Sequence, residues 1–346
     1  MKTRPLGRTG LDVTVFCLGS MTWGTQNTED EGHSQIERAI EAGINFIDTA
    51  EMYPVNPVRA ETVGVTEAII GNWFEKTGRR NDLILATKHS GVGSHSRDGA
   101  PITADSIPQA VEGSLKRLKT DVIDLYQFHW PNRGSYHFRK IWDYDPSNQN
   151  RAQTDQHMAD ALGALQKLVD QGKIRHFGLS NESAWGTTNW VRQAEKGHGP
   201  RVASIQNEYS LMCRYFDTDL AEACLNEDVG LLSYTTLAAG LLTGKYQNGQ
   251  IPEGSRMAIN GDLGGRKTDR AFAAVAAYQH LADKYGLSLT QMSLAWARER
   301  PGLTSIIIGA TTMDQLEEVL GAHDLVLPED LLKEIDQVHK QHPMPF

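Results

Sequence analysis

The chain has 346 residues, of which 40% are hydrophobic and 22% charged, and its formal net charge is −9. That balance suits a globular protein with a large core and excludes a low-hydrophobicity disordered chain. No basic block offers a surface for nucleic acid, no run approaches the ~18 apolar residues of a membrane span, and Cys17, Cys213 and Cys224 are isolated thiols with no CxxC spacing.

In chain order, residues 3–15 predict a small β-hairpin with turn signals at Gly7 and Gly10. Short apolar runs then alternate with helical patterns. Strands are expected at 16–19, 45–47, 83–87, 122–128, 174–179, 202–205, 230–234 and 305–309. Helices are expected at 30–42, 66–76, 104–119, 158–171, 184–196, 217–227, 270–285, 290–298 and 313–320. Continuous apolar strands are buried on both faces, and eight strand–helix units point to a closed (β/α)8 TIM barrel. No Pro/Gly/Ser-rich linker divides the chain, so one domain is expected over 1–346. Long connections at 132–157, after the fourth strand, and 243–268, after the seventh, lie on the face where barrels carry active sites. The stretch Met1–Gly7 has no signal-like apolar segment, and the unpaired cysteines favour a reducing compartment, so a cytoplasmic location is expected.

The strand ends carry the chemistry. The second ends in Asp48, with Tyr53 five residues on; the third ends at Lys88; the fourth is followed by His129. Barrel geometry brings these ends to one axis. A buried lysine there needs Asp48 as counter-charge, and its own charge should lower the Tyr53 pKa from ~10 toward the working range. His129 can hydrogen-bond the carbonyl oxygen that Tyr53 would protonate. Two glycine-rich stretches are decoys: 91–96 lacks the third glycine of a dinucleotide fingerprint, and 240–245 is one residue short of a phosphate loop. The histidines show no metal-ligand spacing, and no metal is expected.

The segments Phe46-Ile47-Asp48-Thr49-Ala50-Glu51-Met52-Tyr53, Ala86-Thr87-Lys88 and Asp124-Leu125-Tyr126-Gln127-Phe128-His129-Trp130 resemble the aldo-keto reductase superfamily, whose tetrad is Asp, Tyr, Lys and His. The likeness runs from Cys17 to Thr312 and is greatest to the bacterial Tas-type branch near the potassium-channel β-subunit group. It implies NADPH, rather than NADH, bound extended across the barrel mouth. Ser20 and Met21 match cofactor contacts, and Ser180, Asn181 and Gln206 would hold the nicotinamide carboxamide. Tyr234 would stack on the nicotinamide face. Thr235, Thr236, Leu237, Ala238, Ala239, Gly240, Leu241, Leu242, Thr243 and Gly244 would clasp the pyrophosphate. Lys245 and Arg256 would supply cationic contacts, Arg256 at the 2′-phosphate, while Gly309, Thr311, Gln315 and Glu318 match the adenosine end.

Two departures from the family pattern stand out: Val319 replaces a frequent adenine-contacting Asn, and Ala310-Thr311-Thr312 replaces cationic residues of other branches. Trp23, Trp130 and aromatic residues of 132–157 are candidates for the substrate pocket. The implied activity is reduction of an aldehyde or ketone to an alcohol, with Tyr53 as proton donor, Lys88 and Asp48 tuning it, and His129 orienting the carbonyl. The alternative is an NADP(H)-binding, redox-sensing regulatory module with little turnover. The expected partner is a small-molecule carbonyl substrate, with neither nucleic acid nor membrane; a homo-oligomer is left open.

Overall fold

The computed structural model describes all 346 residues, Met1–Phe346. It opens with the antiparallel hairpin of β1 (Thr3–Pro5) and β2 (Asp12–Thr14), registered Thr3 to Thr14 and Pro5 to Asp12. Gly7 in its turn has φ +53°, and a Cβ there would stand 2.5 Å from the Ala203 carbonyl oxygen, so only glycine fits. The hairpin thereby seats Leu6 and Val13 against Cys17, Phe46, Ala86, Leu125, Ala203 and Leu232, an apolar plug inside one end of the barrel.

The barrel itself is closed and parallel. Its strands are β3 (Phe16–Gly19), β4 (Phe46–Asp48), β5 (Ile84–His89), β6 (Ile123–Phe128), β7 (Ile174–Ser180), β8 (Val202–Glu208), β9 (Gly230–Tyr234) and β10 (Leu303–Ile308), with β10 paired back onto β3. Around it lie α1 (Glu29–Glu41), α2 (Val65–Thr77), α3 (Ser106–Leu118), α4 (Arg151–Asp170), α5 (Ala184–Glu195), α6 (Asp219–Asn226), α7 (Arg256–Ile259), α8 (Asp269–Lys284), α9 (Leu289–Arg298), α10 (Met313–Leu320) and α11 (Glu329–Gln341). Local sequence sets their starts: at α1, Thr28 and Glu31 form a reciprocal capping box that satisfies two orphan N–H groups. No helix is long and apolar enough to cross a membrane.

Three expectations change. Helix α4 starts at Arg151, not 158, because the Asn150 side chain accepts from Gln153 N while the first two turns are polar and show no periodicity. The first long connection therefore ends at Asn150. The second contains the short helix α7, capped by Ser255. Helix α11 was not anticipated, although Leu331, Ile335 and Val338 form its buried stripe.

Candidate active site

The strand period of two builds the site in layers. Phe46, Ala86 and Leu125 lie in the apolar plug, and two residues further along the same strands stand Asp48, Lys88 and Gln127. Asp48 and Lys88 thus belong to their strands rather than following them. Lys88 is fully buried, where an unpaired ammonium would be costly. Its Nζ donates to Asp48 Oδ2 at 2.5 Å and to the Thr49 carbonyl at 2.7 Å. Asp48 Oδ1 accepts from Gln206 Nε2 at 2.8 Å and Gln127 Nε2 at 3.1 Å. Every oxygen of that carboxylate is spoken for, and the ion pair is locked.

The turn after β4 brings Tyr53 over this pair, with Lys88 Nζ 5.1 Å from its ring centroid. The Tyr53 and His129 rings meet edge to face at 5.8 Å. Burial is the largest influence on the Tyr53 hydroxyl and raises its pKa above 10; Lys88 pulls it down and Asp48 pushes it up. The expected net lowering is therefore corrected: desolvation of the phenolate outweighs one nearby cation. His129 is pushed well below 6.5, first by burial and then by the Lys88 charge, so its imidazole is neutral at neutral pH. Neither ring nitrogen has a hydrogen-bond partner, and Nδ1 is fully enclosed.

Above this layer opens a cleft of about 1660 Å³. Its walls include Ser20, Met21, Ser180, Asn181, Gln206, Tyr234, Thr235, Thr236, Leu237, Ala239, Gly240, Thr243, Lys245, Arg256, Gly309, Thr311, Gln315 and Glu318. Trp130 and Phe138 close the end near His129, with their rings edge to face at 5.9 Å. Five candidates do not line the cleft. Ala238, Leu241 and Leu242 are buried in the hydrophobic core. Gly244 does not line the cleft; it holds a left-handed φ of +74°, where a Cβ would meet Gln279. Trp23 is fully buried, with its indole N–H on Gln35 Oε1 at 3.1 Å, and packs against Gly32 instead of facing the cleft.

Several lining groups are already engaged with one another. The amide of Gln206 is committed to Asp48 and Gln127. Asn181 donates to the His129 carbonyl at 2.9 Å and accepts from the Tyr234 hydroxyl at 2.6 Å. Gln315 holds Thr311, and Glu318 accepts from Ser288. Thr235 and Ala239 take left-handed φ values of 54° and 58°, strained backbone at the cleft wall, and Gly240 follows at 94°, which a glycine adopts freely.

A dinucleotide fits this cleft on one observation above the others. Arg256 lines it with no carboxylate partner and with an enclosed, unpaired Nε. Burial, then the neighbouring Arg266, lowers its pKa to about 10. A desolvated cation without a counter-anion is what a bound phosphate would satisfy.

Buried glutamates at the rim tie the loops down; sequence reasoning assigns Glu51 no chemical role and does not single out Glu182 or Glu208. Glu51 accepts from Arg97 Nη2 at 2.7 Å and from Ser90 N at 2.5 Å, anchoring the turn that carries Tyr53. Glu182 accepts from Arg133 at 2.8 Å. Glu208, at the end of β8, holds both Arg266 and Arg139. Glu51 and Glu182 lie in the turns beyond β4 and β7 and carry no strand-end signal. For Glu208, the last residue of β8, the signal was the one that marks Asp48, a charge at the end of an apolar strand. Gln127, two residues past Leu125, was open to the same reading.

The comparisons agree with this architecture. The model of the family described as "Aldo/keto reductase family" matches residues 15–340. Over 349 residues the chain is 42% identical to "Protein tas" of Escherichia coli (strain K12), covering 100% of this chain and 99% of that protein. It is 31% identical over 338 residues to "Uncharacterized oxidoreductase YrpG" of Bacillus subtilis (strain 168), covering 96% and 94%. It is 29% identical over 353 residues to "Probable voltage-gated potassium channel subunit beta" of Arabidopsis thaliana, covering 99% and 98%.

Proposed function

The chain belongs to the aldo/keto reductase family, and from that premise we propose that it reduces an aldehyde or ketone to an alcohol with NADPH as reductant. The observation that carries the reading is the buried Lys88–Asp48 pair beneath Tyr53 and beside a neutral His129, on the floor of a cleft large enough for a dinucleotide.

Ser180, Asn181 and Tyr234 would hold a nicotinamide, which would supply the hydride for the carbonyl carbon. The chain's residues manage the oxygen. Tyr53 donates the proton, and because burial raises its pKa it stays protonated at neutral pH, as an acid must. The Lys88 charge favours the phenolate left behind and keeps the acid from becoming too weak. Asp48 holds Lys88 at that station, and Gln127 and Gln206 hold Asp48. A neutral imidazole has one N–H to give, and His129 directs it at the carbonyl oxygen, so that donors meet charge as it develops. Trp130 and Phe138 offer apolar walls for the remainder of the acceptor. Arg256 and Lys245, neither in an ion pair, favour NADPH over NADH through the additional phosphate.

The kinship to a protein named as a potassium channel subunit beta favours one second reading, a nucleotide-binding regulatory module with little turnover. One assay separates the two: purified protein, NADPH, and a panel of aldehydes, ketones and quinones followed at the nicotinamide absorbance. Turnover that vanishes in Tyr53→Phe supports the reductase. Tight NADPH binding with no acceptor consumed supports the module, and equal rates for Tyr53→Phe and wild type refute the assigned chemistry.

A further inference from the structure

Glu208 is a fully buried carboxylate shared by arginines from the two long connections over the barrel mouth. Arg266, from the connection after β9, grips it with two bonds, Nε to Oε1 at 2.9 Å and Nη2 to Oε2 at 2.7 Å. Arg139, from the connection after β6, donates to the same Oε2. The connections also touch directly, since a Cβ on Gly265 would lie 3.0 Å from Arg139 Cγ. Each arginine has a neighbour in the cleft. Phe138, immediately before Arg139, forms the acceptor wall with Trp130, and both Phe138 and Arg139 hold left-handed φ values of 58° and 65°. Arg266 itself lines the cleft beside Arg256. In the barrel, Glu208 pairs with Tyr234, the ring assigned to the nicotinamide face.

We propose that Glu208 is a positioning residue that fastens the nucleotide-side connection and the acceptor-side connection into one closed arrangement, so that the wall bearing Phe138 is complete only when both arginines share its carboxylate. The physical basis is the cost of a buried ion cluster. Two desolvated guanidinium groups converge on one anion, and without that anion they repel each other and each is left uncompensated. Neither connection can then keep its arginine inside. The strained backbone at Phe138 and Arg139 also loses what holds it. The part of the proposal that concerns acceptor and nucleotide rests on the reductase reading above; the fastening of the two connections does not.

The test is Glu208→Gln in the full-length chain, with Glu182→Gln as control, because Glu182 holds only the acceptor-side connection through Arg133. Limited trypsin digestion of the folded protein needs neither nucleotide nor turnover. Glu208→Gln should speed cleavage about fivefold or more in both connections, at Arg139 or Lys140 and at Arg266 or Lys267, whereas Glu182→Gln should speed only the first. In steady-state assays, Glu208→Gln should raise both the NADPH dissociation constant and the KM for 4-nitrobenzaldehyde about fivefold, with kcat at saturation falling less than either. Should Glu208→Gln fail to fold, Glu208→Asp keeps the charge but withdraws the carboxylate by one methylene from both arginines, and should shift both connections and both constants in the same directions by about twofold. Cleavage that rises in one connection alone, or an acceptor KM that stays put while nucleotide binding weakens, overturns the proposal. If the wild type turns over no acceptor, the reductase reading fails and the digestion still decides the fastening.

Discussion

Replacing Asp48 with asparagine removes the anion opposite a lysine that has no exposed surface. Lys88 then keeps one acceptor, the Thr49 carbonyl. Asparagine is a poor substitute here because Gln127 and Gln206 both donate to Oδ1. The new amide oxygen must stay there, which turns its NH2 toward the ammonium. Breaking one side of a buried pair costs about 3–5 kcal/mol. For a chain of this size that is a drop in Tm of roughly 4–7 °C.

The pH dependence gives the sharper signature. In the native protein Asp48 raises the Lys88 pKa against the pull of burial. That contribution to stability is fully present below the unfolded lysine value and is lost as pH rises through the folded one. In the variant, burial acts alone and depresses the pKa, so the folded state resists protonation that the unfolded state accepts. The penalty then grows by about 1.4 kcal/mol for each pH unit below the unfolded value, until the depressed pKa is passed. Urea melts at about pH 6 and about pH 9.5 should therefore show a stability gap between wild type and variant that narrows at the higher pH. A gap below about 1 kcal/mol at both values, or one that widens with pH, would refute the account of Lys88 as a paired, buried charge.

Three further outcomes follow from the site. For carbonyl reduction, kcat/KM should stay level through neutral pH and fall only in the alkaline range, since burial raises the Tyr53 pKa and the acid form must lose its proton; Tyr53→Phe should lower kcat by about 10²–10⁴-fold while NADPH fluorescence titrations remain unchanged. Arg256→Leu should weaken NADPH by about 1.5–3 kcal/mol and NADH by much less, measured by competitive titration, because only one of the two carries the additional phosphate. Trp23→Ala should cost about 3–5 kcal/mol in urea unfolding and leave the acceptor KM of the remaining folded enzyme unaltered, as befits a core ring; a specific rise in KM would return Trp23 to the pocket.

Much of the fold was legible because parallel strands buried on both faces read as apolar runs, and all eight barrel strands fall where those runs do. Asp48, Lys88 and His129 were legible as polar groups at the ends of such runs. What escaped was decided by direction rather than position. A clasp read as one stretch turned Ala238, Leu241 and Leu242 into the core, because a tight 3₁₀ turn sends neighbouring side chains opposite ways. The polar opening of α4 hid its start, and Trp23 looked like a pocket ring until Gln35 and Gly32 were seen to enclose it. The sign of the Tyr53 shift depends on how much water the hydroxyl loses, and spacing along a chain carries no record of that.

The closure of the barrel also has a history in time. Strand β3 lies near the start of the chain, and its partner β10 lies close to the far end. Thr14 and Ser305, which share a hydrogen bond across this seam, are 291 positions apart. At ribosomal rates of about 5–20 residues per second, the first barrel strand waits roughly 15–60 s for its last neighbour to be made. Throughout that interval β3 presents an unpaired edge, the kind of template on which chains stick to one another. The short length of β3, four residues, and the hairpin folded directly before it keep that edge small while the seam stands open.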